Sequence, residues 1–121
     1  MNNSTAHHDE KIAKITFASV YPHYVNKVVK KGRSEVELRA IISWLTGYPN
    51  EKIDEAIKEN YTFSEFFENA NVTPNAEKIT GLICGYRVEE IQNPLTQKVR
   101  YLDKIVDELA KGKSVEKICR I

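Results

Sequence analysis

The most constraining feature of this sequence is the regular spacing of residues that start and end helices. Two capping boxes are present, Ser34 with Glu37 and Thr62 with Glu65, in which a hydroxyl and a carboxylate satisfy each other's backbone amides. Helix ends are marked by glycine, which readily adopts the left-handed conformation that closes many helices. The glycines at such positions are Gly32, Gly47 and Gly112. These signals predict a chain of short helices joined by tight turns.

Apolar residues between these signals recur every three to four positions, as on the buried face of an amphipathic helix. The longest predicted helix begins with the cap Asn93 and with Pro94 at its first position, and it carries a favourable pair, Asp107 with Lys111. Its apolar stripe contains Leu95, Val99, Leu102, Val106 and Leu109. The pattern predicts an all-α orthogonal bundle of about six or seven short helices in a single domain.

The segment from Ile79 to Ile91 can be interpreted in two ways, because the stretch LICGYRV is typical of a buried strand or of a helix. Its length favours a helix. In that helix Gly81 and Gly85, four residues apart, would lie on one face and let another helix backbone approach closely. We therefore predict a helix that is enclosed on most sides.

Length and composition place the chain among ordinary globular proteins. It has 121 residues, a net charge of +1 and 41% hydrophobic residues, and it contains no apolar run of the roughly 20 residues that span a bilayer. Residues 1–14 are polar and lack the apolar stretch of a signal peptide, so we predict a flexible tail before a domain over residues 15–121. Cys84 and Cys119 have no metal-ligand spacing, which predicts two free, mostly buried thiols in a cytoplasmic protein.

No complete set of catalytic or metal-binding residues is found in the sequence. His7, His8 and Asp9 lie in the predicted tail, and a HExxH motif is absent, so no metal or cofactor is expected. Glu65 and Glu68 have the spacing of one half of the magnesium site of helical nucleoside-triphosphate pyrophosphatases. The second half is not met, because Glu89 and Glu90 are followed three residues later by Gln92 and Asn93.

Two places in the sequence have features of a nucleic-acid interface. The spacing of Ser43, Gly47 and Ile53 resembles a helix-turn-helix, but the would-be recognition helix has a net charge of −2 and would repel phosphates. Its charged residues are Glu51, Lys52, Asp54, Glu55, Lys58 and Glu59. A basic cluster near the end of the predicted helix that Gly32 closes lacks interleaved aromatic residues for base stacking. That cluster is Lys27, Lys30, Lys31 and Arg33. Nucleic-acid binding is therefore not expected.

Arg87 is the polar residue that most needs a partner if its helix is enclosed. Thr80, Cys84 and Arg87 share one stripe of that predicted helix, and an enclosed guanidinium requires an anion. The anion is either a carboxylate of the protein or a carboxylate or phosphate ligand that takes the guanidinium fork. Trp44 and Tyr48 would wall such a ligand pocket. The carboxylates available to Arg87 are Asp103, Asp107 and Glu90.

Four ordered segments of the chain resemble a known bacterial family, domain of unknown function 2200. The segments are FASVYPHYVNKVVKKGR, IISWLTGY, ITGLICGYRVEEIQNPL and RYLDKIVDELAKGKSVEKI. The resemblance runs from about Ile15 to Ile118 and leaves the N-terminal residues outside it. It implies a small cytosolic protein with a helical bundle fold, and it implies no activity.

Two functions remain open from the sequence. The first is a non-enzymatic binding or protein-interaction module, with a homodimer formed through the longest helix as one form of it. The second is a small-molecule binder or enzyme for an anionic ligand, with a site at Arg87, Thr80, Trp44 and Tyr48.

Overall fold

The computed structural model describes residues 3–120 of the chain, and their side chains from His7 onward. These residues form one helical domain, which confirms the predicted fold class. The α-helices are α1 (Asn3–Lys14), α2 (Phe17–Val29), α3 (Glu35–Thr46), α4 (Asn50–Lys58), α5 (Phe63–Glu68), α6 (Pro94–Ala110) and α7 (Val115–Ile118). Between α5 and α6 lie a 3₁₀ helix (Pro74–Lys78), strands β1 (Leu82–Ile83) and β2 (Tyr86–Arg87), and a second 3₁₀ helix (Val88–Glu90). Within residues 3–120, no helix combines the length and the apolar character that a membrane span requires.

The predicted helix starts are formed by the side chains that the sequence indicates. Both capping boxes are complete at the first residues of α3 and α5. Helix α2 begins at Phe17, because the preceding Thr16 hydroxyl accepts a hydrogen bond from the Ser19 amide. Pro22 consequently lies inside α2 and removes one backbone hydrogen bond from it.

Helix α6 runs through the centre of the domain and contacts five of the other helices, α1, α2, α3, α5 and α7. Its apolar stripe is buried against them, since Leu102, Ile105 and Leu109 have no exposed surface. A second part of the core is aromatic, with the rings of Phe17 and Phe66 stacked at 4.4 Å between centroids. The stripe that was predicted to form a homodimer is thus used inside the fold, which removes that interface.

The predicted helix over Ile79 to Ile91 is wrong, because this segment folds into a β-hairpin. Ile83 pairs with Tyr86 across a two-residue turn, and Cys84 and Gly85 have φ angles of 51° and 84°. Two positive φ angles define a type I′ turn, which matches the right-handed twist of the strands. The glycine after Cys84 is therefore a turn residue, and glycine in a helix interior would cost about 1 kcal/mol.

The structure also differs from the predicted flexible tail at the N-terminus. Residues Asn3–Lys14 form helix α1, and Ile12 is buried in the core with 5% of its surface exposed. Only one large apolar residue of the described side chains of α1 contacts the core. This single residue gives too weak a periodicity for a helix to be predicted.

Arg33 joins the loop between α2 and α3 to the end of α6. Its Nη1 donates hydrogen bonds of 2.9 Å to the carbonyls of Leu109 and Lys113, and its Nη2 donates to Glu37 at 2.8 Å. The hydrogen bond from Arg33, aided by the Ser34 backbone amide, lowers the pKa of Glu37 to about 2. Glu37 is thus a capping residue and also the counter-ion of Arg33.

We expect the contribution of Glu37 to stability to disappear in acid. A carboxyl whose folded pKa lies below its ordinary value of 4.5 stabilises the protein above that value. This stability is lost as pH falls from 4.5 toward about 2. Thermal unfolding of the wild type and of Glu37→Gln should therefore differ at pH 7 and converge near pH 2. A difference that stays constant over this range would contradict the assignment.

Candidate functional site

A network of polar and aromatic side chains joins α2, α6 and the hairpin. The Tyr24 hydroxyl donates a hydrogen bond of 2.6 Å to Asp103 Oδ1, and Arg100 Nη1 donates one of 3.1 Å to Asp103 Oδ2. The Arg100 guanidinium lies 5.7 Å from the centroid of the Tyr86 ring on the hairpin. We call these four residues, Tyr24, Tyr86, Arg100 and Asp103, the hairpin network.

Helix α1 adds His8 to the hairpin network. Its Nε2 lies 3.2 Å from Arg100 Nη2, and its ring stacks on the Tyr86 ring at 6.3 Å between centroids. Because a guanidinium only donates, the contact with Arg100 requires His8 to accept through an unprotonated Nε2. The neighbouring Asp9 accepts a hydrogen bond of 2.7 Å from the Thr96 hydroxyl on α6.

The electrostatics of the hairpin network favour a structural role for its buried members. Burial raises the pKa of Tyr24 well above its ordinary value, and the negative charge and hydrogen bond of Asp103 raise it further. Tyr24 therefore stays protonated and donates to a carboxylate that Arg100 also neutralises. Among the side chains that the structure describes, no buried nitrogen or oxygen lacks a hydrogen-bond partner.

Cys84 lies exposed at the tip of the hairpin, whereas Cys119 is buried. Both are free thiols, as predicted, but the predicted burial of Cys84 is wrong, because its segment is a surface hairpin and not an enclosed helix. Within the described part of the chain, no three histidine, cysteine or acidic side chains come together in a way that could hold a metal ion.

A second feature is a surface depression of about 600 Å³ where α6 ends and α7 begins. We call it the lysine-lined depression, because Lys104, Lys111, Lys113 and Lys117 lie around it. Its other lining residues are Asp107, Glu108, Gly112 and Ser114. The depression has no aromatic and no large apolar lining residue, so it offers no surface for stacking or for an apolar group.

The charges of the lysine-lined depression are arranged in two layers. The carboxylates lie beneath, since the side chains of Asp107 and Glu108 are 14% and 8% exposed. The ammonium groups of Lys111 and Lys113 lie above them, on side chains that are 75% and 41% exposed. The outer surface therefore presents positive charge to solvent.

Each carboxylate under the depression is held by two cations. Asp107 is 3.1 Å from Lys27 Nζ and 3.0 Å from Lys111 Nζ. Burial raises the pKa of Asp107, but the hydrogen bonds from Lys111 and Lys27 outweigh it, and the net shift is downward. Glu108 accepts hydrogen bonds of 2.8 and 3.0 Å from the Arg120 fork, and Lys113 Nζ lies 3.5 Å away.

Four cations pair with the two carboxylates, and they are Lys27, Lys111, Lys113 and Arg120. Lys104 and Lys117 also line the depression. Because the whole chain has a net charge of only +1, the rest of the chain is net negative. The positive charge of this protein is therefore concentrated at the lysine-lined depression.

The structure does not join the four residues that were predicted to form a ligand site. Arg87 is exposed and lies 3.6 Å from Glu89, so the predicted enclosed guanidinium is wrong. Thr80 is exposed, and the hydroxyl of the buried Tyr48 donates a hydrogen bond of 2.6 Å to the Phe66 carbonyl. Trp44 packs partly buried against the core. Within residues 7–120, no hydrogen bond or ion pair links Arg87 or Thr80 to Trp44 or Tyr48, because the segment of Arg87 is a surface hairpin.

Of the two carboxylates that resembled half of a magnesium site, Glu65 completes the capping box of α5 and Glu68 is exposed. Glu89, from the half that was not met, accepts a hydrogen bond of 3.0 Å from the Gly81 amide. The helix that was compared with a recognition helix is α4. A depression on its outer surface is mainly acidic and is lined by Glu51, Asp54, Glu55, Lys58, Glu59 and Tyr61.

Two features of the sequence indicated part of this region. The basic cluster near the end of α2 contributes Lys27, which pairs with Asp107 at 3.1 Å. The predicted pair of Asp107 and Lys111 is confirmed at 3.0 Å. Lys104, Lys113 and Lys117 were missed because they belong to different elements. Only the turn between α6 and α7 brings them to one surface.

The fold and these surfaces define a small helical protein with a basic depression and a polar network. Residues 11–120 match a family described as an uncharacterized protein conserved in bacteria, DUF2200. The chain belongs to this family, as its sequence segments indicated. A solved structure, the crystal structure of uncharacterized protein SP1917, is 39% identical over 92% of each chain, with a TM-score of 0.85. No curated protein matches the chain.

Proposed function

We propose that this protein is a small non-enzymatic binding module of the cytoplasm, and that its ligand carries clustered anionic groups. The observation that supports the proposal is the lysine-lined depression, in which ammonium groups cover buried and already neutralised carboxylates. The free cysteines Cys84 and Cys119 fit a reducing compartment.

The geometry of the depression favours multiply charged groups over a single planar one. Lysine is a flexible point charge, and the rigid fork of Arg120 is already occupied by Glu108. Lys117 has no ion pair within residues 7–120, and Lys104 Nζ donates only to the Leu82 carbonyl at 3.3 Å. These two lysines are therefore available to an incoming anion.

The anionic groups could come from a phosphorylated small molecule or from an acidic protein segment, and two probes separate these sources. Tripolyphosphate represents the first and hexaglutamate the second, each titrated by calorimetry in about 50 mM salt. We expect saturable binding of at least one probe, which weakens in about 200 mM salt because the charges are screened. Binding of tripolyphosphate alone would support a phosphorylated ligand, and binding of hexaglutamate alone an acidic segment.

Neutralisation of single charges tests whether the depression is the site. Lys104→Gln and Lys117→Gln should each weaken binding by about two- to fivefold, the range of one exposed ion pair. Arg87→Gln is the matched control, because it removes one positive charge from an exposed position outside the depression. Equal losses in all three variants would show a response to total charge only, and that result or the absence of saturable binding would overturn the proposal.

A further inference from the structure

The turn between α2 and α3 lies beside the turn between α6 and α7. Arg33, in the first of these turns, donates hydrogen bonds of 2.9 Å to the carbonyls of Leu109, in α6, and Lys113, in the second turn. Lys27, near the end of α2, also pairs with Asp107 of α6 at 3.1 Å. The lysines that follow α2 and α6 in the chain are therefore brought to one end of the molecule.

Most of the positive charge at this end is open to solvent. Lys30, Lys31 and Lys117 are exposed, and none of them has an ion pair within residues 7–120. Lys111 and Lys113 pair with carboxylates that lie beneath them, and their side chains remain 75% and 41% exposed. We call these five residues the lysine end. Because Lys30 and Lys31 do not line the lysine-lined depression, the positive surface extends beyond it.

Two apolar side chains are exposed next to the lysine end. Val29, the last residue of α2, is 52% exposed, and Val36, in the first turn of α3, is 79% exposed. The turn that joins them is tight, since Gly32 has a φ of 82° and its amide donates a hydrogen bond of 2.9 Å to the Val29 carbonyl. Lysines with exposed apolar neighbours are typical of protein surfaces that adsorb to anionic membranes.

We propose that the lysine end binds the surface of an anionic phospholipid bilayer, with Val29 and Val36 entering the headgroup region. This inference rests on the proposed function, because it identifies the clustered anionic groups as lipid headgroups. Lysine is a flexible point charge, and the negative surface potential of a bilayer attracts such charges without a fixed geometry.

The two exposed valines favour a bilayer over a soluble polyanion. A bilayer has an apolar interior next to its phosphates, so Val29 and Val36 would lose contact with water on binding. A soluble phosphate compound has no apolar volume to receive them. A single-stranded nucleic acid would stack its bases on aromatic side chains, and the lysine end with its two valines contains none.

Sedimentation of the full chain with lipid vesicles tests this proposal. We expect at least about a hundredfold stronger partitioning into vesicles with about 30% phosphatidylserine than into pure phosphatidylcholine, in about 50 mM salt. Lys30→Gln with Lys31→Gln should weaken partitioning by about 10- to 25-fold, since each lysine near an anionic surface contributes about fivefold. The matched control is Lys14→Gln with Lys58→Gln, which removes two exposed lysines from α1 and α4.

The double variant Val29→Ser with Val36→Ser separates a bilayer from a soluble anion. It should weaken partitioning at least about threefold. Its affinity for tripolyphosphate should not change, because both valines lie outside the lysine-lined depression. If this variant does not fold, Val36→Ser alone replaces it, since Val36 is the more exposed of the two.

Three results would each overturn the proposal. They are equal partitioning into both kinds of vesicle, equal losses in the lysine variant and its control, and undiminished partitioning of the valine variant. If tripolyphosphate binds and vesicles do not, the proposed function stands and this inference fails, whereas both fail if neither binds. Binding of a single-stranded oligonucleotide without binding of vesicles would also overturn the inference, in favour of a nucleic-acid partner.

Discussion

Replacing Phe66 by alanine is expected to destabilise the protein by about 3–5 kcal/mol, the range for removal of a buried aromatic ring. Phe66 has no exposed surface, stacks on Phe17 at 4.4 Å, and meets Tyr48 and Phe67 edge-to-face at 5.0 and 5.1 Å. Alanine would leave a cavity between α2 and α5. Because small domains are stable by only about 5–15 kcal/mol, this variant should be close to unfolding.

Urea denaturation followed by circular dichroism measures this loss. Phe66→Leu keeps most of the volume and should lose less than half as much stability as Phe66→Ala. The exposed Val36→Ala is the control, with an expected change within about 0.5 kcal/mol. A loss of less than about 1.5 kcal/mol for Phe66→Ala would contradict close packing of this aromatic cluster.

The second large effect is expected at Glu108. Its side chain is 8% exposed and accepts both arms of the Arg120 fork, so Glu108→Ala leaves a half-buried guanidinium without its anion. We expect the free energy of unfolding to fall by about 2–4 kcal/mol. This is slightly below the range for a fully buried pair, because Arg120 retains some solvent contact. The loss would weaken the attachment of α7 to α6, because Arg120 lies two residues after the last residue of α7.

Removal of both charges together distinguishes the loss of the ion pair from the loss of packing. Arg120→Met combined with Glu108→Met removes both charges and should recover much of the stability that Glu108→Ala loses. Glu116→Ala is the matched control, since Glu116 is an exposed residue of α7 without an ion pair within residues 7–120. Equal loss in the double variant and in Glu108→Ala would show that packing, and not the stranded charge, dominates.

The binding experiments on the lysine-lined depression depend on these stability measurements. Lys117→Gln and Arg87→Gln alter exposed side chains, so a change in ligand binding there reports on binding rather than on folding. Glu108→Ala alters the carboxylate beneath the lysine-lined depression and would change both. Ligand binding by the lysine variants therefore tests the lysine-lined depression. The stability of Glu108→Ala tests the carboxylate beneath it.

Most of the helices could be predicted from short-range patterns in the sequence. The capping boxes at Ser34 and Thr62, the left-handed glycine after α3 and the stripe of α6 all act within a few residues, so their meaning can be read from neighbours in the chain. The family could also be predicted, because its segments are long and ordered.

The hairpin was the main element that local reasoning missed. Ile79 and Ile83 are both buried, and their spacing of four residues also fits one side of a helix. The choice between helix and hairpin rests on whether Cys84 and Gly85 adopt positive φ, and the contact of β1 with α6 favours the hairpin. Because this segment is a hairpin and not a helix, Arg87 does not occupy the enclosed position that the predicted site required.

The sequence by itself determined a helical domain, its caps and its net charge, since these depend on residue type and on spacing of a few positions. Only the tertiary structure decided where charge and polar groups meet. The lysine-lined depression joins residues of α6 with residues of the following turn and of α7, and the hairpin network joins Tyr24 to Asp103 across 79 residues. Such contacts depend on how the helices pack, and no local pattern of residues encodes their distances.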